Sequence, residues 1–134
     1  DFLATHSEMS AVMRLANDAD ETVARVAIRK LGMMKSRVSF TQVLPKLDSP
    51  NEKIRREAID ALRMMTGTDL GYRYLATGSE RKRSIQGWQK LWSENQSNPH
   101  FLEEMRLASK TKTVIPAKRP GAVRAEAHNR SKAG

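Results

Sequence analysis

The chain repeats itself with a period of 31 residues, and no other feature constrains its fold as strongly. The stretch from Ser49 to Met65 carries apolar residues at helical spacing, with charged residues mainly on the opposite face. Ser49 and Glu52 have the spacing of a capping box, and Pro50 suits the first helical position. The stretch 31 residues earlier has the same pattern. The matched pairs are Asp18 and Ser49, Glu21 and Glu52, Val23 and Ile54, Ala27 and Ala58, Ile28 and Ile59, Leu31 and Leu62, and Met34 and Met65.

A shorter apolar stretch precedes each copy, so that each unit is a helix, a turn and a second helix. The first helix is predicted to start at the Thr5–Glu8 capping box and to end near Asn17, and the second to run from Asp18 to about Met34. In the next unit, Pro45 is expected to bend the short first helix, because proline removes a backbone donor. The corresponding apolar residues of the two first helices are Met9, Val12 and Met13, then Phe40, Val43 and Leu44.

The residues after the second unit depart from the repeat. Three glycines and several polar residues predict a helix stop and an ordered loop at 66–78, with the next helix starting at Thr77 or Ser79. We expect Trp88 and Trp92, which share a face of that helix, to close the end of the helical stack, since terminal repeats need a cap. Their use as anchors for a partner is the alternative. A last short helix follows Asn98, its predicted cap.

A hairpin of this period resembles the bacterial type of HEAT repeat. Its second helix opens with an acidic turn, followed by the pattern aliphatic–Arg–x–x–Ala–aliphatic–x–x–Leu. Ala24 departs from this pattern, with Arg25 one place later. The segment 66–72, with the apolar face at Ile85, Trp88 and Trp92, looks like the C-terminal closing unit of some bacterial HEAT-repeat proteins. The resemblance covers roughly residues 5–95 and rests on Asp20, Val23, Ala27, Ile28, Leu31, Gly32, Asn51, Ile54, Arg55, Ala58, Ile59 and Leu62.

The resemblance implies an all-α protein, a HEAT-like α-solenoid of helical hairpins, used as a scaffold for partners rather than for one particular activity. The expected divisions are a HEAT-like helical repeat domain at 1–95, a short C-terminal helix at 96–109 and an extended basic arm at 110–134. The net charge of the chain is +9. The arm holds seven basic residues against the single acid Glu126, and the first 109 residues carry only +3. The arm lacks the apolar content to fold alone.

The residue types argue against catalysis. The chain has no cysteine, which excludes disulfides, thiolate chemistry and cysteine-based metal sites. Its three histidines are scattered, and Glu103 and Glu104 are adjacent, so they point to different sides of a helix. Ser79 and Lys82 match the Ser-x-x-Lys pattern of penicillin-recognising enzymes, whose other motifs are missing. The sequence therefore predicts no enzyme, no cofactor, no metal and no small-molecule substrate.

The compartment is not determined by the residues. No apolar run approaches the roughly 20 residues of a membrane span. The first residue is Asp1 rather than methionine, so the N-terminus is either processed or cut from a longer chain, and the first of these favours an exported or periplasmic bacterial protein.

These observations predict a non-enzymatic scaffold subunit that docks on a large protein complex through its solenoid face and its basic arm. The alternative is a nucleic-acid-associated protein that binds phosphates through the arm and a patch at Arg81–Arg83. Anchoring at an anionic membrane surface is a third interpretation, disfavoured because the arm has few bulky apolar residues. The predicted partner-binding residues are Arg55, Arg56, Arg81, Lys82, Arg83, Lys110, Lys112, Val114, Ile115, Lys118, Arg119 and Arg124.

Overall fold

The protein is all-helical in the computed structural model, which describes residues 2–111 and the side chains from Glu8 onward. No β-strand occurs in this part of the chain, so the all-α prediction is confirmed. The helices are α1 (Phe2–Leu15), α2 (Glu21–Met34), α3 (Arg37–Val43), a 3-10 helix (Leu44–Asp48), α4 (Glu52–Thr66), α5 (Gly78–Asn95) and α6 (Phe101–Thr111).

The two repeated helices start 31 residues apart, and each has a side-chain cap. The Asp20 carboxylate accepts a hydrogen bond from the backbone of Val23 at 3.1 Å. The Asn51 amide oxygen accepts from the backbones of Lys53 and Ile54, at 2.8 and 3.3 Å. Since the first amides of a helix lack partners within the helix, these caps define where α2 and α4 begin.

The predicted caps Asp18 and Ser49 were therefore wrong, and Pro50 lies outside the helix. Both predicted caps stand two residues before the real ones, and each accepts from the backbone of the real cap, at 2.8 and 3.1 Å. Asp18 and Ser49 therefore order the loop before each helix and do not cap the helix itself. The Thr5 start was wrong as well, because α1 already begins at Phe2. The real caps keep the period that the predicted ones had.

Helices α2 and α4 form the largest helix–helix contact of the described chain. They run parallel, since Glu21, Arg29 and Gly32 along α2 meet Asn51, Glu57 and Ala61 in the same order. The backbones come close at Gly32, where an added Cβ atom would lie 2.8 Å from the Cβ of Ala61. Gly32 therefore lets the two backbones meet. The helix continues past Gly32 to Met34, rather than loosening there as the low helix propensity of glycine suggests. The buried core centres on this pair, with Leu31 and Leu62 completely inaccessible.

Pro45 was expected to bend this short helix; instead α3 ends at Val43, and Pro45 lies in the 3-10 helix that follows. Beyond it, an aromatic cluster joins α3 to α5 and α6. The ring of Phe40 lies 6.1 Å from that of Trp88, 5.3 Å from that of Trp92 and 5.6 Å, edge-on, from that of Phe101. Trp88 is fully buried. The tryptophans are thus used in packing within the chain.

Helix α6 packs back on the end of α4. The Arg106 guanidinium donates to the Met65 carbonyl at 2.8 Å, and the Ser109 hydroxyl donates to the Gly67 carbonyl at 2.6 Å. These bonds satisfy carbonyls that the end of a helix leaves without intrahelical partners. α6 extends to Thr111, so Lys110 belongs to its last turn and not to an extended arm.

Candidate interaction surface

Charged side chains form a network on the surface shared by α2 and α4. Arg29 donates two hydrogen bonds to Glu57, at 3.0 and 3.1 Å, and Arg25 lies 3.6 Å from the same carboxylate. The Glu57 side chain is only 10% exposed. The pKa of Arg29 is raised by these hydrogen bonds and by the charge of Glu57. A bidentate pair at a partly buried carboxylate fixes the register of the two helices.

Arg55 was predicted to bind a partner, but the structure places it inside the chain. It is buried, and its guanidinium donates to the carbonyl of Tyr74 at 2.9 Å and to the carbonyl of Ser49 at 2.8 Å. The side chain thereby ties the turn before α4 to the loop after it. Arg55 is a structural residue, and the partner-binding prediction for it is not retained.

Arg56, the next residue, points outward. Its guanidinium lies 5.6 Å from the centre of the Tyr74 ring, in the geometry of a cation–π contact. No carboxylate of the described residues comes within salt-bridge distance of it. Arg56 lines two neighbouring cavities, of about 530 and 390 Å³. It thus lies at the junction of two surface depressions, held by an aromatic ring rather than by an acid.

The loop at 67–77 positions the aromatic wall of the larger cavity. Gly67 and Gly71 adopt positive φ angles, which glycine accepts without steric cost. Asp69 accepts from the backbone of Gly71 at 2.8 Å, and this bond holds the pKa of its carboxyl below the usual value. The Tyr72 hydroxyl donates to the Leu47 carbonyl at 2.6 Å, and burial raises the pKa of that phenol. The loop is therefore ordered, as the sequence predicted.

Leu75 projects from this ordered loop with 62% of its surface exposed. It lines the 530 Å³ cavity together with Tyr74 and Arg56. We call these three residues the Arg56 surface. Arg56 is among the predicted partner-binding residues, whereas Tyr74 and Leu75 are not. A lone leucine in a loop gives no periodic signal, so no sequence pattern indicated that Leu75 lies exposed beside Arg56.

The other arginines around the cavity have acidic partners. Arg63 bonds to Asp60 at 3.2 Å and to Asp69 at 3.1 Å. Arg73 bonds to Glu80 at 3.1 Å. These pairs offset the positive charge of two of the three arginines that line the cavity.

The residues at 81–83 do not form one patch. Arg81 is mostly buried, with its side chain 21% exposed, and it pairs with Asp48 at 3.3 Å and donates to the carbonyl of Ala76. A carboxylate beside it offsets the unfavourable helix dipole at the start of α5. Lys82 and Arg83 are exposed, without a salt bridge among residues 8–111.

The predicted docking arm lies almost entirely outside the described residues. This holds for Lys112, Val114, Ile115, Lys118, Arg119 and Arg124. Lys110 is exposed on α6.

The described residues contain no group of three or more histidine, aspartate or glutamate side chains placed to hold a metal ion. His100 pairs with Glu103 at 3.2 Å on an exposed surface. Within residues 2–111, no helix has the length and apolar character needed to cross a membrane. Comparison of the chain with protein-family models, with curated proteins and with solved structures gives no match.

Proposed function

We propose that this protein is a non-enzymatic interaction subunit, whose two repeats are HEAT-like units of an α-solenoid. It docks on a protein complex through the Arg56 surface, and its basic arm adds a second attachment. Three observations support the HEAT-like assignment: the two caps lie 31 residues apart, like the sequence repeat; α2 and α4 make a parallel contact; and a glycine allows their backbones to come close.

The Arg56 surface carries the docking proposal. Arginine and tyrosine are enriched among the residues that dominate binding energy at protein interfaces. Here they lie in contact beside an exposed leucine and a cavity of about 530 Å³. The loop that holds Tyr74 and Leu75 is already ordered by internal hydrogen bonds. Little conformational entropy is then lost when a partner binds there. An acidic residue next to an apolar one on the partner fits this arrangement.

Binding of nucleic acid is the second candidate, and Lys82 and Arg83 favour it. They are exposed without acidic partners, and with the arm they offer positive charge for phosphates. Three other arginines of the folded part, Arg63, Arg73 and Arg81, are paired with carboxylates. A phosphate would have to compete with those acids, which makes protein docking the better-supported function.

The experiment that separates the two candidates is affinity purification of the tagged full chain from its own cells, with quantitative mass spectrometry. Leu75→Glu is compared with Leu107→Glu, because the two leucines are equally exposed, at 62% and 61%, and lie on different surfaces. We expect L75E and R56E to lose the partner, and L107E to retain it.

A double variant, K82E/R83E, and nuclease treatment form the other arm of the experiment. Both should leave the protein complex intact if docking uses the Arg56 surface. Release of the protein by nuclease, or by K82E/R83E but not L75E, would instead establish the nucleic-acid function. Unfolding midpoints measured for every variant ensure that a lost partner does not reflect a lost fold.

A further inference from the structure

An apolar groove runs between α1 and α2, on the side of α2 away from α4. Its cavity has a volume of about 450 Å³. Leu15 and Val26 line it with 45% and 53% of their surfaces exposed, and Val12, Val23 and Ala27 form the rest of its apolar wall. We call this the α1–α2 groove. Exposed apolar surface that is contiguous, unlike single scattered residues, is typical of a binding surface.

The repeat identifies which face of α2 lies in the groove. Adding 31 to Val26 and Ala27 gives Glu57 and Ala58 of α4. Glu57 receives the two hydrogen bonds from Arg29, and Ala58 is fully buried. The groove therefore contains the face of α2 that corresponds to the face by which α4 packs on α2.

The same relation continues one turn further along. Lys30 corresponds to Ala61, which contacts α2 at Gly32. Lys30 lies at the edge of the groove and pairs with Glu8 at 3.1 Å. The α1–α2 groove thus presents the α4 side of the α2–α4 interface a second time. Among the residues that the structure describes, no helix covers it there as α2 covers α4.

This equivalence specifies the occupant. A helix that covers the groove as α2 covers α4 runs parallel to α2. At the positions where α2 carries Arg25 and Arg29, the docked helix contacts Val26 instead of Glu57. An apolar residue of the docked helix therefore suits these positions. It also needs no glycine opposite Lys30, because the lysine side chain keeps the backbones apart.

A second copy of the chain does not offer such a helix. In α2 the required face is already covered by α4. The equivalent face of α4 carries Arg56, Asp60 and Arg63, whose charges do not suit the apolar wall of the groove. We propose that the α1–α2 groove docks an amphipathic helix of a partner protein, parallel to α2 and in the register that α2 has on α4.

A duplication tests the geometry. In a variant chain, residues 1–36 are followed by residues 6–134, which inserts one 31-residue unit and preserves the period. The added α2 stands in for the partner helix, and linking it in the same chain gives it an effective concentration of about the millimolar range. We expect the urea midpoint to rise. The urea m-value should increase by about a quarter, since it scales with the surface exposed on unfolding.

Substitutions in the second copy of α2 then test the register. Val26→Lys should lower the midpoint of the duplicated chain more than that of the unmodified chain, because it meets Arg25 and Arg29 of the added helix. Val26→Glu should cost less than Val26→Lys, since it reproduces Glu57. Val38→Lys is the matched control, at a valine 49% exposed on α3, and should act equally in both chains.

Three results overturn the proposal. If the midpoint does not rise on duplication, either with Val26 or with V26E to pair with Arg25 and Arg29 of the added helix, or if V26K acts equally in both chains, the groove does not accept a helix in this register. If sedimentation shows that the unmodified chain is a dimer that V26K dissociates and V38K does not, the occupant is a second copy rather than a partner protein.

Discussion

The contact between Gly32 and Ala61 gives the sharpest test of the packing of α2 against α4. Replacing a glycine inside a helix by alanine normally stabilises the helix by about 1 kcal/mol, because glycine has more conformational freedom to lose. In Gly32→Ala, however, the new Cβ atom would lie 2.8 Å from the Cβ and 2.9 Å from the Cα of Ala61. A backbone atom cannot avoid the clash by a change of rotamer, as the end of a long side chain can.

The helices must therefore separate locally. Overpacking of this kind costs about 1–3 kcal/mol. Set against the helix propensity, it leaves a net loss of about 1 kcal/mol for G32A. Gly87, in the interior of α5, is the matched control, because nothing lies within 4 Å of a Cβ atom built on it. Gly87→Ala should raise the free energy of unfolding by about 0.5–1 kcal/mol.

Urea unfolding followed by circular dichroism measures both changes. The two substitutions are chemically identical, so their difference isolates the close approach of the helices. The further change Ala61→Gly in the G32A background should be partly compensating, since it removes one of the two clashing atoms. If G32A stabilises the protein as much as G87A does, α2 and α4 do not pack at the distance described.

Three further predictions concern the core, the loop and the C-terminal arm. Leu62→Ala should lower the free energy of unfolding by about 2–5 kcal/mol in urea titrations, as for other fully buried leucines, and a change near zero would exclude Leu62 from the core. Tyr72→Phe should cost about 1 kcal/mol below pH 10 through loss of the hydrogen bond to Leu47. Because burial raises the pKa of Tyr72 above its ordinary value of 10, the stability it contributes is lost as the pH rises from about 10 through the raised pKa. The gap between wild type and Y72F should then narrow, and a constant gap would contradict the assignment. Deleting residues 112–134 should leave the helical circular dichroism of the remaining chain unchanged, whereas a loss of signal would show that the folded part depends on the arm.

The helices could be predicted from the sequence because their apolar residues recur at helical spacing, and packing reinforces that pattern. The first residues of the helices were harder to predict. Before each repeated helix there are two possible caps, two residues apart, and the structure uses Asp20 and Asn51 rather than Asp18 and Ser49. Both choices build hydrogen bonds of similar length, so local spacing alone does not separate them.

The surface was harder to predict, because the partner of an arginine depends on distant parts of the chain. Arg81 pairs with Asp48, 33 residues earlier, and Arg55 reaches the Tyr74 carbonyl, 19 residues later. No short-range pattern carries that information. Three arginines that were all predicted to bind a partner therefore lie in different environments: Arg55 is buried, Arg81 is paired with an acid and Arg56 is exposed.

The repeat explains why Arg56 is the exposed one. Its equivalent in the first unit is Arg25, which lies 3.6 Å from Glu57, a carboxylate that the second unit supplies. The second unit is followed by the loop at 67–77 instead of another hairpin of the same period, and Tyr74 takes the place beside Arg56. A partner that brings a carboxylate to Arg56 would repeat, across an interface, the pairing that Glu57 makes inside the chain. Arg55 also differs from its equivalent in the first unit, Ala24, because of the loop at 67–77. Arg55 is needed to bind the loop through the Tyr74 carbonyl, whereas the first unit joins its successor by two residues and a buried alanine suffices.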